Sequence, residues 1–446
     1  MPQRPIDTTL PSREGRSVPA SGVVPAWSLT ILHSPVSALV SHRFDLGAKL
    51  CVGRVEGAGV DVAIDDAKLS RGHATITRVG VIVEIRDQGS RNGTFVNGTR
   101  VAAGMLQPGD IVRIGDTLLE LGDTPARVAS DEPTLIGTAP AFLAAVDVAD
   151  RVASSDMPVV ILGETGTGKD VLARHIHKRS GRSGPLVAVN CAALADDLIE
   201  SALFGHKRGA FTGATSDSPG LFLEAQGGTL FLDEIGELDI AHQAKLLRAL
   251  DAREIIPVGG TRCVHTDARV IAATNIELAA RTAAGLFRTD LYARLAGATI
   301  RMAPLRARRG DILALAERFL GQSSPTVERR LSAHAAERLL LHSWPRNIRE
   351  LLSAMRLLVI QLGDRTEATR ADVDAVLEPP VVVTSEEASR AIGTDDRPGM
   401  PTREELTTHL MRLRGNISRL ATFYGKDGKQ IYRWLKRYRL DPGGYR

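Results

Sequence analysis

From Ser28 to about Gly122 the chain runs in short alternating or apolar stretches, SLTIL, KLCVG, ATITRV, VIVEIRD, GTFVNG, DIVRIG and TLLEL, each cut by Gly, Asn or Asp. A period of two puts every second side chain on one face, and many short strands at this spacing predict a sandwich or barrel. From Ile136 to about Pro304 the texture changes. The apolar runs PVVIL, LVAVN, GTLFLDE and ARVIAATN alternate with stretches of helical spacing. Strands without polar alternation, separated by helices, predict a parallel sheet covered on both faces. Residues 305–378 keep a helical period throughout, in DILALAERFL, SAHAAERLLLH and NIRELLSAMRLLVIQL. Residues 402–440 predict two or three short helices. Residues 1–27 read as a polar tail, and 123–135 and 379–401 as linkers without period. The fold class expected is multidomain: an all-β sandwich over 28–122, an α/β core over 136–304 with a helical lid over 305–378, and a small all-α domain over 402–446.

Length and composition agree. The 446 residues are about three typical domains, and 43% hydrophobic against 24% charged residues suits globular cores. No apolar run reaches the roughly 18 residues of a membrane span, and the N-terminus lacks the apolar block of a secretory signal. The three cysteines, Cys51, Cys191 and Cys263, are too few and too scattered for a disulfide framework or a cysteine zinc site, which points to a reducing, cytoplasmic location. Charge is uneven: residues 402–446 hold eleven Lys or Arg against four Asp or Glu, so the net +4 of the chain comes from that end. A basic end on a near-neutral body suits a polyanion, although a solvated charged helix reads the same way.

The chemistry begins where PVVIL ends. Gly163-Glu164-Thr165-Gly166-Thr167-Gly168-Lys169-Asp170 follows and DVLARHIHKR continues with helical spacing. Strand, glycine-rich loop and helix N-terminus turn backbone N–H groups toward phosphate oxygens, and Lys169 adds a charge near the β- and γ-phosphates. Asp170 stands where a Ser or Thr usually helps hold Mg²⁺. A second run, Gly227-Gly228-Thr229-Leu230-Phe231-Leu232-Asp233-Glu234, is an apolar strand ending in two carboxylates. Such a strand is expected beside the loop's own strand, with Asp233 in the Mg²⁺ shell and Glu234 polarising the attacking water. Together they imply ATP and Mg²⁺ as cofactors.

Residues 136–378 resemble the AAA+ ATPase domain of bacterial sigma-54-dependent transcription activators. The most specific stretch is Glu200-Ser201-Ala202-Leu203-Phe204-Gly205-His206, followed by Gly209-Ala210-Phe211-Thr212-Gly213-Ala214. The resemblance makes GAFTGA the loop that touches the sigma factor. On the residues alone, Phe211 reads instead as the core anchor of a glycine-rich turn. By the same resemblance Asn190 is a switch asparagine holding Glu234, and Thr274-Asn275 is the sensor that reads the γ-phosphate. Arg288 and Arg294 are arginines acting on a neighbouring subunit's nucleotide, which needs a ring, expected to be a hexamer reached from a dimer. Read without the family, those two arginines are surface ion pairs. Trp344-Pro345-Arg346-Asn347-Ile348-Arg349 resembles the second sensor, with Arg349 toward nucleotide, Trp344 in the core, and Arg346 where the family usually has Gly.

Residues 28–122 resemble a forkhead-associated (FHA) domain through Gly53-Arg54, Ser70-Arg71-Gly72-His73, Asp87 to Thr94 and Asn97-Gly98. The resemblance implies that Arg54, Ser70, Arg71 and Asn92 hold a phosphothreonine, with His73 and Gly53 bracing the loops. Residues 403–440 resemble the Fis-type helix-turn-helix that closes these activators. Ile431, Trp434 and Leu435 would face inward, and Lys429, Gln430, Arg433, Lys436 and Arg437 would meet double-stranded DNA. The sum implied is a cytoplasmic, DNA-tethered ATPase acting on sigma-54 RNA polymerase holoenzyme under phosphothreonine control, without a membrane partner. Two alternatives remain open on the residues: a remodeller of another target, and a phosphopeptide adaptor that does not hydrolyse ATP.

Overall fold

The computed structural model describes residues 27–122 save 56 and 58, and 135–377 save 194, 195 and 324–326. Near the C-terminus it describes Leu406, Thr407, Ile431, Trp434, Leu435 and Tyr438. The described residues up to Leu377 form one compact unit and those from Leu406 belong to a second.

The first domain is an all-β FHA fold of eleven strands. They are β1 (Ser28–His33), β2 (Arg43–Asp45), β3 (Lys49–Gly53), β4 (Val62–Ala63), β5 (Ala74–Val79), β6 (Ile82–Asp87), β7 (Thr94–Val96), β8 (Thr99–Val101), β9 (Ala103–Leu106), β10 (Ile111–Ile114) and β11 (Thr117–Gly122). One sheet runs β2-β1-β11-β10-β7-β8 and the other β4-β3-β5-β6-β9. Period two delivers Leu29, Ile31, Val112, Ile114, Leu119 and Leu121 of the first sheet to a core shared with Val52, Ile76 and Ile85 of the second. Trp27, expected in the tail, is buried in this core, and its carbonyl accepts the Leu46 N–H. One apolar ring next to a strand start is enough to pull the boundary inward.

The second domain is an α/β AAA+ core. Its helices are α1 (Pro140–Ala153), α2 (Lys169–Arg179), α3 (Asp196–Phe204), α4 (Leu221–Glu224), α5 (Ile240–Ala252), α6 (Leu278–Ala283) and α7 (Thr289–Leu295). Its strands are β12 (Val159–Leu162), β13 (Leu186–Asn190), β14 (Thr229–Asp233), β15 (Glu254–Ile255), β16 (Val264–His265), β17 (Arg269–Thr274) and β18 (Ala298–Arg301). Five form a sheet in the order β13-β14-β17-β12-β18, every pair parallel, while β15 and β16 make a separate hairpin. Val160, Leu162, Leu230, Leu232, Val270 and Ala272 feed one core, and Val159, Ile161, Phe231, Ile271 and Ala273 the other. The strand ending in Asp233 is therefore not beside the loop's strand: β17 lies between β14 and β12. Both β14 and β17 are apolar on two faces, so local sequence does not tell which one neighbours β12.

The lid carries α8 (Gly310–Ser323), α9 (Ala333–Leu341), α10 (Asn347–Leu362) and α11 (Arg370–Val376). It is not helical throughout, because β19 (Arg330–Leu331) and β20 (Glu367–Ala368) pair in parallel. Two residues are too few to show a period. Ser332 caps α9, and Thr369 with Asp372 forms a capping box on α11, so the pair lies just before two helix starts. Trp344 is buried, with its indole N–H on the Leu339 carbonyl. No helix among the described residues is long and apolar enough to cross a membrane.

In the second unit Ile431, Trp434, Leu435 and Tyr438 are helical, and the first three are buried. Their i, i+3, i+4, i+7 spacing is one helix face, as expected of the inward side. Lys429, Gln430, Arg433, Lys436 and Arg437 lie outside the described residues, as do residues 1–26, 123–134 and 379–401.

Candidate nucleotide and contact sites

Glycines at Gly166 (φ +78°) and Gly168 (φ +96°) take the left-handed region, which lets the loop turn back over the N-terminus of α2. Lys169 is buried and its Nζ donates to the carbonyls of Gly163 (2.8 Å) and Glu164 (3.4 Å). Thr167 Oγ1 donates to the Glu164 carbonyl at 2.8 Å. Register between β12 and β17 sets the Gly163 N–H on the Thr274 carbonyl at 3.1 Å. Asp170 is exposed in the first turn of α2, where a negative charge complements the helix dipole.

Although its strand is one removed, Glu234 does reach this loop, and Asp233 stands beside it at the end of β14. Glu234 Oε1 lies 3.9 Å from Lys169 Nζ, and Oε2 accepts the Asn275 N–H at 3.3 Å. The Asn275 side-chain amide donates to Thr165 Oγ1 at 3.3 Å. Glu234 has φ +52°, a strained value for a residue with a side chain, and its N–H donates to Asp233 Oδ1 at 3.1 Å. Asn190 stands in register with Asp233, but its side-chain oxygen accepts the Ala192 N–H, so in this structure Asn275 rather than Asn190 holds Glu234. Cys191, beside them, is buried; burial and the nearby Asp233 and Glu234 carboxylates push its thiol up to about 12, which makes it inert.

The lid closes over the same loop through the second-sensor segment and through Arg306 and Arg308, which the sequence did not single out. Asn347, fully buried at φ +53°, donates to Glu164 Oε2 (3.2 Å) and the Thr165 carbonyl (3.1 Å), and its oxygen accepts the Leu305 N–H. Ile348 N–H bonds the Gly166 carbonyl at 2.9 Å, and a Cβ on Gly166 would lie 2.3 Å from the Arg346 carbonyl oxygen. Arg306 forks onto Glu164 and holds that carboxyl below the usual carboxylate range. Buried Arg308 donates to the Thr167 carbonyl at 2.8 Å. Arg349 is exposed, with its Cβ beside Gly166. The donor set fits a nucleotide that brings its own Mg²⁺: a backbone cradle, one buried lysine and the carboxylate of Asp233. Among the described residues no cluster of three or more His, Cys, Asp or Glu forms a metal site by itself.

Arg288 forks onto Asp290, and Arg294 pairs with Asp251 at 2.9 Å and with the Leu250 carbonyl at 3.2 Å. Both are surface pairs within one chain.

The Gly209–Ala214 segment is a turn between α3 and α4. Gly209 N–H bonds the Ala214 carbonyl at 2.9 Å, and Ala214 N–H the Phe211 carbonyl at 3.0 Å. Ala214 is buried, Thr212 and Gly213 are exposed, and Phe211 is 39% exposed, so it is no core anchor. Its only ring partner among the described residues is His206, edge-on at 5.0 Å. Below the tip the two arms are welded: a Cβ on Gly205 would lie 2.4 Å from the Ser218 carbonyl oxygen, and one on Gly220 would lie 2.2 Å from the Gly205 nitrogen.

On the FHA domain, Arg54, Ser70, Arg71 and Asn92 come from three loops brought to one rim. Arg54 N–H bonds the Ser70 carbonyl at 3.0 Å, Ser70 Oγ accepts the Arg91 N–H at 3.0 Å, and Asn92 donates to the Lys68 carbonyl at 2.5 Å. Gly53 leaves no room for a side chain: its Cβ would lie 1.9 Å from the Arg71 carbonyl oxygen. His73 is buried, accepting the Ser70 N–H on Nδ1 and lying 3.2 Å from the Gly93 carbonyl, so it braces two of the loops.

The sigma-54 interaction domain matches residues 135–301, the AAA+ ATPase lid domain 306–388, and the FHA domain 50–115. The nitric oxide reductase transcription regulator NorR1 of Cupriavidus necator is 39% identical over 386 residues, 82% of this chain and 72% of NorR1. The chain belongs to the sigma-54-dependent activator family. The response regulator protein FleR of Pseudomonas aeruginosa is 47% identical over 248 residues, 54% of this chain and 52% of FleR. The chain thus spans about half the length of curated relatives such as FleR. Among solved structures, NtrX from Brucella abortus in complex with ADP matches with a TM-score of 0.51 and 32% identity, covering 69% of each chain. This family member therefore carries an FHA domain ahead of its ATPase core and lid.

Proposed function

We propose that this protein is a cytoplasmic, DNA-tethered ATPase that opens promoters by pushing on sigma-54 RNA polymerase holoenzyme, under the control of a phosphothreonine-bearing partner. The observation that carries the reading is a phosphate-loop site and an exposed aromatic turn on one α/β core. Lys169, Glu234 and Asn275 converge on a glycine-rich loop with Asp233 next to Glu234, and the same α/β core projects a pinned turn with Phe211 at its tip.

The division of labour follows from the chemistry. The loop from Gly163 to Asp170 and Lys169 bind the ATP phosphates, and the N-terminus of α2 favours their charge. Bound with the nucleotide, Mg²⁺ neutralises phosphate charge, and Asp233 is the residue to hold it. Glu234, fixed by the Asn275 backbone, orients the attacking water; Asn275 reports the γ-phosphate through Thr165. Arg349 meets the nucleotide from the lid. Arg288 and Arg294 act on a neighbour's nucleotide in a hexameric ring, so hydrolysis is tied to assembly. Gly209–Ala214 transmits the strain to the sigma factor, Arg54, Ser70, Arg71 and Asn92 read phosphothreonine, and Lys429, Gln430, Arg433, Lys436 and Arg437 anchor the DNA.

The test is in vitro transcription with sigma-54 polymerase. Wild-type protein should open the promoter with ATP and not with a non-hydrolysable analogue. Thr212→Ala should keep ATP turnover within about twofold and lose open complex, because it alters the tip and not the site. Full transcription by Thr212→Ala would point to an ATPase with another target.

A further inference from the structure

Period two makes one face of a sandwich sheet polar, yet Ile111, Val112, Arg113 and Ile114 of β10 are all buried. Val112 and Ile114 serve the FHA core; Ile111, together with Leu118 and Leu32, belongs to the apolar core of the ATPase lid. Register puts Ile111 beside Glu120 and Arg113 beside Leu118, so these four share the sheet's outer face. Lid residues meet them one by one. Arg113 Nε bonds Glu337 Oε2 of α9 at 2.9 Å, with both side chains over nine-tenths buried, and its guanidinium lies 3.8 Å above the Phe95 ring. Arg309 donates to the Gly109 carbonyl at 2.9 Å. Glu120 faces Gly310, where a Cβ would lie 3.1 Å from its Oε2.

Resting on the ATPase reading, we infer that the outer face of β1, β10 and β11 is a docking surface for the lid of its own chain, and that this dock sets how the lid meets the nucleotide loop. Two features carry the argument. First, the dock joins apolar contact to buried charge. Separation would return both charges to water and offset their lost attraction, and Glu337 Oε1 lacks a hydrogen-bond partner even when docked, so the pair sets the register of the shared apolar core more than its strength. Second, both docked lid segments end on the nucleotide loop. Arg309 follows Arg308, which holds the Thr167 carbonyl, and α9 runs through Trp344 to Asn347, which holds Glu164 and Thr165. The phosphothreonine rim shares the edge. Asn92 bonds the Lys68 carbonyl; Lys68 N–H bonds Asp66 Oδ1; and the buried Asp66 takes the N–H of Asp116 (2.7 Å), in the turn joining β10 to β11, and the hydroxyl of Thr117 (3.1 Å), the first residue of β11.

Amide hydrogen exchange and nucleotide affinity on the full chain test this. Glu337→Gln leaves Arg113 buried without its counter-charge. Exchange in residues 109–121 and 333–341 should then rise by about tenfold while β5 keeps its wild-type rate. Affinity for a fluorescent ADP analogue, or ATP turnover, should change by about threefold or more. The double variant Arg113→Glu with Glu337→Arg should return both readouts toward wild type, which a mere loss of folding would not allow. Unchanged exchange in Glu337→Gln overturns the dock. Faster exchange with unaltered nucleotide affinity and turnover overturns the coupling. Wild-type protein that binds no analogue overturns the ATPase reading and the coupling with it, while exchange still decides the dock.

Discussion

Glu120 is a carboxylate whose charge depends on what covers it. It lies half-buried on β11 with Arg309 and Asp311 facing it; burial and Asp311 raise its pKa and Arg309 opposes them, leaving it at about 7. With the lid away it returns toward the ordinary carboxylate range. Between that range and pH 7 the docked state binds the extra proton, so docking is favoured at low pH and is lost progressively as pH rises through 7. Glu120→Gln removes the titration. We expect the melting temperature of wild type to fall between pH 5.5 and 8 by a few degrees more than that of Glu120→Gln, on the order expected for roughly 1 kcal/mol. Parallel melting curves for the two proteins would count against the assignment. At this scale the sequence was informative where partners are consecutive: Lys169 in its loop, and Asp233 and Glu234 at a strand end. Arg306, and the partner of Asn347 within its motif, were not legible, because the Glu164 they hold lies 142 and 183 residues away, and an Arg or Asn in a lid carries no local mark of its partner.

At the scale of elements, the loop carrying Phe211 joins an exposed tip to a tightly packed base. Gly205 and Gly220 pack backbone to backbone at φ +76° and +81°, and Lys207 with Asp217 ties the arms one step higher. Gly205→Ala puts a methyl group into the Ser218 and Pro219 carbonyl oxygens at 2.4 and 2.5 Å and strains the backbone, a cost of about 1–3 kcal/mol that falls on the loop base. The nucleotide residues sit on other elements. Gly205→Ala should therefore retain ATP binding within about twofold and lose most open-complex formation. Equal loss of nucleotide affinity, measured by titration of a fluorescent analogue, would show that base and site are not separable. The turn itself was legible from its residues; the exposure of Phe211 was not, since an aromatic between glycines fits a core as well as a tip. Strand order was hidden for a related reason: β14 and β17 are alike in hydrophobicity, and only the fold places β17 at the centre.

At the scale of the whole molecule, the ring proposed above makes Arg288 and Arg294 the residues at which one chain stops being sufficient. Each is satisfied within its own chain by an exposed carboxylate, Asp290 and Asp251, and exposed pairs are weak enough to exchange for a phosphate across a subunit boundary. In the proposed ring the two catalytic functions would come from different subunits: Glu234 from the one that binds the nucleotide, Arg294 from its neighbour. Glu234→Gln and Arg294→Ala should each abolish most ATP turnover alone. Mixed in equal amounts under exchange, they form sites in which an intact Glu234 meets an intact Arg294. Random placement in a closed ring gives about a quarter of the sites that arrangement, so turnover should recover to about that fraction of wild type. A mixture that stays inactive although the subunits exchange, or an Arg294→Ala protein with undiminished turnover, would place the arginine outside the shared site. A recovered quarter would locate hydrolysis between chains, and it would do so without reference to the sigma factor, DNA or the FHA domain.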